Sequence, residues 1–178
     1  MGATEEIVEL RDGTTVRLRP IEPADQARLQ DLLDHMSLED IRRRFFAPIR
    51  EFSPELAFHL SHPDPVREIA IAAVPPTGET LLGVARIAAE GASGRAEYAI
   101  VVRTDMKGHG LGYLLLGRLL ERAREHGFTE IWGDVMREND AMLQMAREQG
   151  FAVAAHPTEA DLLRVTKRLD PAPPARSG

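Results

Sequence analysis

The chain of 178 residues contains no cysteine, a single tryptophan and two tyrosines. Without cysteine there are no disulfides, no thiolate metal sites and no thiol nucleophile. No apolar run approaches the roughly 18 residues that a membrane span requires. The start, Met1-Gly2-Ala3-Thr4-Glu5-Glu6, has neither a signal-peptide core nor the hydroxyl residue that a myristoylation signal places at position 6. A cytoplasmic protein with no membrane partner is the expectation. Basic excess is also missing. A formal net charge of -6 argues against nucleic acid as the main partner, because phosphate binding needs a basic footprint. Local basic patches can still hold a phosphorylated cofactor.

Several catalytic signatures are absent too. A P-loop needs Gly-x4-Gly-Lys-Ser/Thr, and the nearest approach, Gly112 leading to Gly117-Arg118-Leu119, fails. No Gly-x-Ser-x-Gly elbow points to Ser/His/Asp hydrolysis. Among His35, His59, His62, His109, His126 and His156, no pair has zinc-protease spacing with a nearby carboxylate, so no metal is expected. What remains is ordinary for a soluble globular protein: 43% hydrophobic and 28% charged residues. The length fits one domain, residues 1–170, followed by a proline-rich tail, 171–178, that reads as disordered.

The patterning gives an α+β order. Residues 14–19 alternate like a strand. Leu29, Leu32, Leu33 and Met36 recur at helical spacing after Pro23. Ser37 with Asp40 has capping-box spacing and opens a second helix, and Ser53-Pro54 opens a third. Residues 68–74, 81–89 and 95–102 read as an antiparallel meander. An amphipathic helix over 111–125 follows and stops at Gly127. A strand over 130–135, a short helix over 139–148 and a last strand over 161–168 complete the series. Arg42-Arg43-Arg44 reads as a solvated helix face, the alternative being contact with an acidic protein substrate or a cofactor phosphate; Phe45-Phe46 reads as core, and Trp132 as strand packing or the lining of an acyl or substrate groove.

The segment most suggestive of chemistry joins the third meander strand to its helix: Arg103-Thr104-Asp105-Met106-Lys107-Gly108-His109-Gly110-Leu111-Gly112. Its alternate glycines permit positive φ and close approach of a ligand to the backbone. The following helix start offers unpaired N–H groups and a favourable dipole for an anion. Arg103, Lys107 and His109 add side-chain donors. These features predict a pyrophosphate cradle, the plain alternative being a glycine-rich connector. A dinucleotide-binding doubly wound fold does not fit: the third glycine comes one residue early, antiparallel strands precede the loop, and too few residues follow Gly112. Within the preceding strand, alternation puts Glu97, Ala99 and Val101 on one face. Glu97 is the candidate general base, an acid whose small apolar neighbours would desolvate it and raise its pKa. Glu68 is held in reserve.

Lys107-Gly108-His109-Gly110-Leu111-Gly112 resembles the Gln/Arg-x-x-Gly-x-Gly/Ala signature of the GNAT family of N-acetyltransferases, with lysine in the first position. Asn139, Met142, Gly150 and Phe151 resemble that family's later Asn-x-x-Ala…Gly-Phe helix, with Met142 in place of the small residue. Arg44-Phe45-Phe46, Ala96-Glu97-Tyr98-Ala99 and Glu138-Asn139-Asp140-Ala141-Met142-Leu143 are similar to the GNAT domain of bacterial protein-lysine acetyltransferases, which are often fused to a regulatory domain. The resemblance covers roughly residues 14–168.

It implies a mixed central sheet with a splayed strand pair and flanking helices, and acetyl-CoA as co-substrate. Backbone groups of Ile100, Val101 and Val102 would then pair with the pantetheine arm. The amides of Lys107, Gly108, His109, Gly110, Leu111, Gly112 and Tyr113 would hold the pyrophosphate, and Asn139 would reach the cofactor from the other side. Glu97 would deprotonate an amine acceptor, a protein lysine first. A small amine (polyamine, amino acid or antibiotic) and a non-catalytic acyl-CoA-sensing role stay open. Ala146 stands where many relatives carry a general-acid tyrosine.

Overall fold

In the computed structural model, residues 5–170 are described, so the expected disordered tail lies outside them. The polar start contains a strand that local patterning does not reveal. β1 (Glu6–Glu9) pairs antiparallel with β2 (Thr15–Pro20) across a turn closed by the Leu10 N–H to Thr14 carbonyl bond of 2.7 Å. α1 (Asp25–Asp34) buries Leu29, Leu32 and Leu33, the stripe predicted by their spacing. α2 (Leu38–Phe45) and α3 (Pro54–Ser61) start where expected. The Ser37 and Ser53 hydroxyls accept the Asp40 and Leu56 N–H groups, each at 3.1 Å.

The meander follows as β3 (Glu68–Val74), β4 (Gly83–Ala89) and β5 (Arg95–Val102). A single 3-10 turn, Thr104–Met106, leads through the glycine loop into α4 (Leu111–His126). Then come β6 (Glu130–Met136), α5 (Asp140–Glu148), β7 (Ala152–Ala155) and β8 (Leu162–Arg168). β7 was not foreseen. The eight strands run in the order β1-β2-β3-β4-β5-β6-β8-β7, antiparallel throughout except between β5 and β6. α4 packs five buried leucines and Ala123 against the meander, each leucine adding about 1.5–3 kcal/mol. The opposite face of the meander is covered by a second core containing Leu29, Leu32 and Val84.

The parallel contact between β5 and β6 is short. It spans Arg95↔Glu130, Ala96↔Ile131 and Glu97↔Trp132, after which the strands part. A steric cause sits at that point. A Cβ on Gly133 would lie 2.6 Å from the Tyr98 ring, so glycine alone lets that ring lie against β6. The ring also packs on Phe151, with centroids 5.4 Å apart. β5 stays paired to β4 along its length. Arg103 N–H donates to Leu82 and Glu90 N–H to the Arg95 carbonyl, both at 2.9 Å, so the odd-numbered residues of β5 bond to β4. Its even-numbered residues point their backbone groups toward β6. Beyond Glu97 the strand finds no partner there, and Ile100 and Val102 present open N–H and C=O groups to the gap. Val101, expected to offer its backbone to a ligand, instead commits it to β4.

Gly133→Ala should force the Tyr98 ring out of place and lower stability by about 1–3 kcal/mol. Urea denaturation measures this. An unchanged midpoint would mean that the ring does not set the splay.

Candidate active site

The loop after β5 is organised around its main chain. Gly108 and Gly110 have φ of 83° and 87°, and a Cβ on either would meet no protein atom within 4 Å. The space beside them is open. Gly110 caps α4 without any side-chain hydrogen bond. Among the described residues, no protein acceptor takes the N–H groups of Gly108, His109, Gly110, Leu111, Gly112 or Tyr113. A run of inward donors at a helix start favours a multiply charged anion.

The side-chain cations do something else. Lys107 Nζ donates to Asp40 Oδ1 at 2.7 Å. Arg103 forks onto Asp105 at 2.8 and 3.0 Å. His109 Nδ1 meets Asp12, whose carboxyl is held down at about 2 by the Thr14 N–H first and His109 second. The sequence suggested that these cations hold phosphate; in the structure each is paired with an aspartate and pins the loop. Asp40 was read as half of a capping box. Only the Ser37 half forms, because the Ser37 N–H goes to Thr104 Oγ1 at 2.7 Å. Asp40 is buried and also accepts from Thr104 at 2.8 Å. Burial pushes its carboxyl up, but the bonds from Lys107, Thr104 and Ser37 outweigh that and hold it below the usual range.

A cleft of about 320 Å³ runs from this loop along the β5–β6 gap, bounded by α2 on one side and the start of α5 on the other. Its lining includes Glu97, Ile100, Val101, Val102, Lys107, Gly108, Gly110, Leu111, Gly112, Tyr113 and Asn139. Asn139 caps α5, its Oδ1 accepting the Met142 N–H at 3.3 Å, and among the described residues its amide NH₂ has no partner. Met142 and Met145 also line the wall. His109 points away toward Asp12. Arg11, which the sequence did not single out, stacks over the Tyr113 ring with its guanidinium 5.6 Å from the centroid.

Glu97 marks the far end of the cleft, where the strands begin to part. Its side chain is exposed, and among the described residues no hydrogen bond or ion pair engages the carboxylate. Its pKa is raised, by partial desolvation first and the Asp134 charge second, against the pull of Arg44 and Arg164. The expected setting of small apolar neighbours is therefore incomplete: charged side chains flank the base. Asp134 is gripped by Arg164 at 2.9 and 3.2 Å. Trp132 lies beside Glu97 in the register, its ring covered by the Arg164 guanidinium at 4.3 Å and its indole N–H donating to Glu90 at 2.8 Å.

α2 departs from its reading as a solvated helix with a core end. Arg42 is exposed and bridges to Glu138 across the cleft, but Arg43 and Arg44 line it. Phe46, read as core, ends the helix in the left-handed region with φ of 58°, lines the cleft and is 44% exposed. Glu68 is paired with Arg86 at 3.4 Å, lies 3.6 Å from His59, and does not line the cleft. Ala146 is fully buried. The buried Tyr98 hydroxyl borders the cleft without a hydrogen-bond partner among the described residues, its pKa pushed up by burial.

Comparison with known proteins agrees with this arrangement. The sequence model of the acetyltransferase (GNAT) family matches residues 34–151. Acetyltransferase PA5475 of Pseudomonas aeruginosa is 30% identical over 165 residues, covering 92% of this chain and 88% of the relative. The crystal structure of the GNAT domain of S. lividans PAT superposes with a TM-score of 0.85 at 28% identity, covering 93% of this chain and 97% of that domain. Spermidine N-acetyltransferase from Vibrio cholerae, solved with CoA and spermine, shares the fold with a TM-score of 0.70 at 19% identity, over 86% of this chain and 95% of that one. The chain belongs to the GNAT family of acetyltransferases.

Asp40→Asn should cost about 1–3 kcal/mol at neutral pH, since it removes the charge that Lys107 and Thr104 address. A carboxylate whose folded pKa is depressed stabilises above its unfolded value, about 3.9, and loses that contribution as the pH falls through the folded value. The difference in Tm between wild type and variant should therefore shrink on acidification below pH 4. A difference that is constant or grows would contradict the pairing.

Proposed function

We propose that the protein transfers the acetyl group of acetyl-CoA directly to an amine, with Glu97 as the base. The observation that carries this is two stretches of backbone left unpaired among the described residues and lining one cleft, Ile100 and Val102 in the gap and Gly108–Tyr113 at the start of α4, with an unpaired carboxylate at its other end. The amides after Lys107 fit a diphosphate. The open groups of Ile100 and Val102 fit the amides of a pantetheine arm, and the free amide of Asn139 faces the same cleft. Running back along β5 from the loop brings the thioester end to the neighbourhood of Glu97.

The amine nitrogen attacks the thioester carbon and gives up a proton to Glu97. The carbon–sulfur bond breaks, and the charge that develops on the carbonyl oxygen is met by an N–H of the gap-facing strand. Coenzyme A leaves as a thiolate, with a reference pKa near 8.5, and takes its proton from solvent. No side-chain acid is needed where Ala146 stands. A protein lysine is the favoured acceptor. Glu97 is open to solvent at the mouth of the cleft, which is the access a lysine on a folded surface requires.

Glu97→Gln should leave the Kd for acetyl-CoA unchanged and lower turnover by about 10²–10⁴. A base must be deprotonated to act, so wild-type kcat/KM should rise with pH through a value above the ordinary carboxylate range, the direction in which burial and Asp134 move Glu97. That limb should vanish in the variant. Calorimetry and thiol release measure both quantities, and undiminished turnover in Glu97→Gln would remove the residue from this role.

A further inference from the structure

Nearly every charge near the acceptor end of the cleft is already matched. Arg86 pairs with Glu68 at 3.4 Å, Arg164 with Asp134 at 2.9 Å, and Arg43 with Glu39 at 2.7 Å, while Arg42 bridges to Glu138. Two groups are left over. Glu97 has no ion-pair or hydrogen-bond partner among the described residues, and neither does Arg44.

Arg44 sits in the last turn of α2, its guanidinium stacked 4.7 Å from the centre of the Phe45 ring. It lines both the main cleft and a small, mostly apolar pocket behind it, formed with Leu33, Phe52 and Leu60. The cation is only partly exposed there. Burial and the like charge of Arg86 lower its pKa to about 10, and Glu97 pulls it the other way. It therefore stays charged at neutral pH. A guanidinium taken partly out of water without a matching anion costs free energy that an ion pair or hydrogen bonds would offset. Its planar fork of donors matches the two oxygens of a carboxylate, as it does those of a phosphate.

We infer that Arg44 is an anion subsite for the acceptor, so that the acceptor carries a carboxylate close to the amine that is acetylated. The leftover pair, one anion and one cation facing the same cleft, is the complement of such a molecule: ammonium toward Glu97, carboxylate toward Arg44. This rests on the acetyl-transfer reading and names the acceptor chemistry for the same site. The carboxylate can come from a free amino acid or from an aspartate or glutamate beside a lysine in a protein. Arg44 is then a specificity-determining residue.

The test uses the full chain with acetyl-CoA and two sets of matched acceptors: L-amino acids against their carboxamides, and lysine peptides flanked by Asp or Glu against the same peptides with Asn or Gln. The wild type should prefer the carboxylate member in one set, which identifies the source. Arg44→Gln should lower kcat/KM for that acceptor by about tenfold or more, mainly through KM, and change its neutral counterpart less than about twofold. Arg44→Lys should fall between them, and calorimetry with acetyl-CoA should give wild-type affinity for both variants, which establishes that they are folded. Equal loss on acidic and neutral acceptors, or no loss on either, would overturn the subsite. Acetyl-CoA binding with indifferent acetylation overturns the subsite alone. No binding of acetyl-CoA by the wild type, or binding with no acceptor acetylated, overturns the transfer reading and the subsite together.

Discussion

The parting of β5 from β6 after three paired residues is the constraint on which the site depends. A sheet that kept this pairing would satisfy the backbone of Ile100 and Val102 internally and would have no cleft. The break is built from one aromatic ring and one missing Cβ: the Tyr98 ring lies against Gly133, and Phe151 packs on the same ring. β5 stays bonded to β4 along its length, so its free edge is a held template rather than a frayed end. The cost of leaving backbone groups unpaired in a partly buried cleft is offset when a ligand with amide groups fills it.

Main chain and side chains divide the work along this cleft. At the phosphate end, binding rests with amides at the start of α4, and the nearby cations are neutralised by Asp12, Asp40 and Asp105. The Asp12 and Asp40 contacts join the loop to the β1–β2 turn and to α2, and all three fix the direction of the N–H groups before any anion arrives. Such preorganisation suits an acidic protein, since a diphosphate can be held by local dipoles despite the net charge of -6. At the other end the logic reverses. There the backbone is paired, and chemistry falls to side chains on one face of β5 and on α2.

Much of this was legible in the sequence because its signals are local. The alternation of β2 and β5, the leucine stripe of α4, the serine caps and the glycine stop at Gly127 are all decided within a few residues of chain. The glycine loop was legible for the same reason. Ala152–Ala155 and Glu6–Glu9 were missed because four residues carry too little pattern, and each becomes a strand only by pairing with β8 or β2. Two of the three loop cations were misassigned because their partners are tertiary, Asp12 lying 97 residues from His109 and Asp40 lying 67 from Lys107, whereas the Arg103 partner, Asp105, is local. Arg43, Arg44 and Phe46 looked like surface and core for a similar reason: nothing local shows that α2 turns this end toward the β5–β6 gap. The splay was available from family resemblance only, since its cause is the contact of Tyr98 with Gly133 across two strands.

The most direct measurement is a titration of ¹⁵N-labelled protein with coenzyme A, followed by amide chemical shifts. The N–H groups of Ile100, Val102 and Gly108–Tyr113 should move together and saturate at one Kd, as expected of donors that exchange water for a bound ligand. Saturation elsewhere in the spectrum while these amides stay fixed would contradict a coenzyme held by the main chain of the parted strand and its loop.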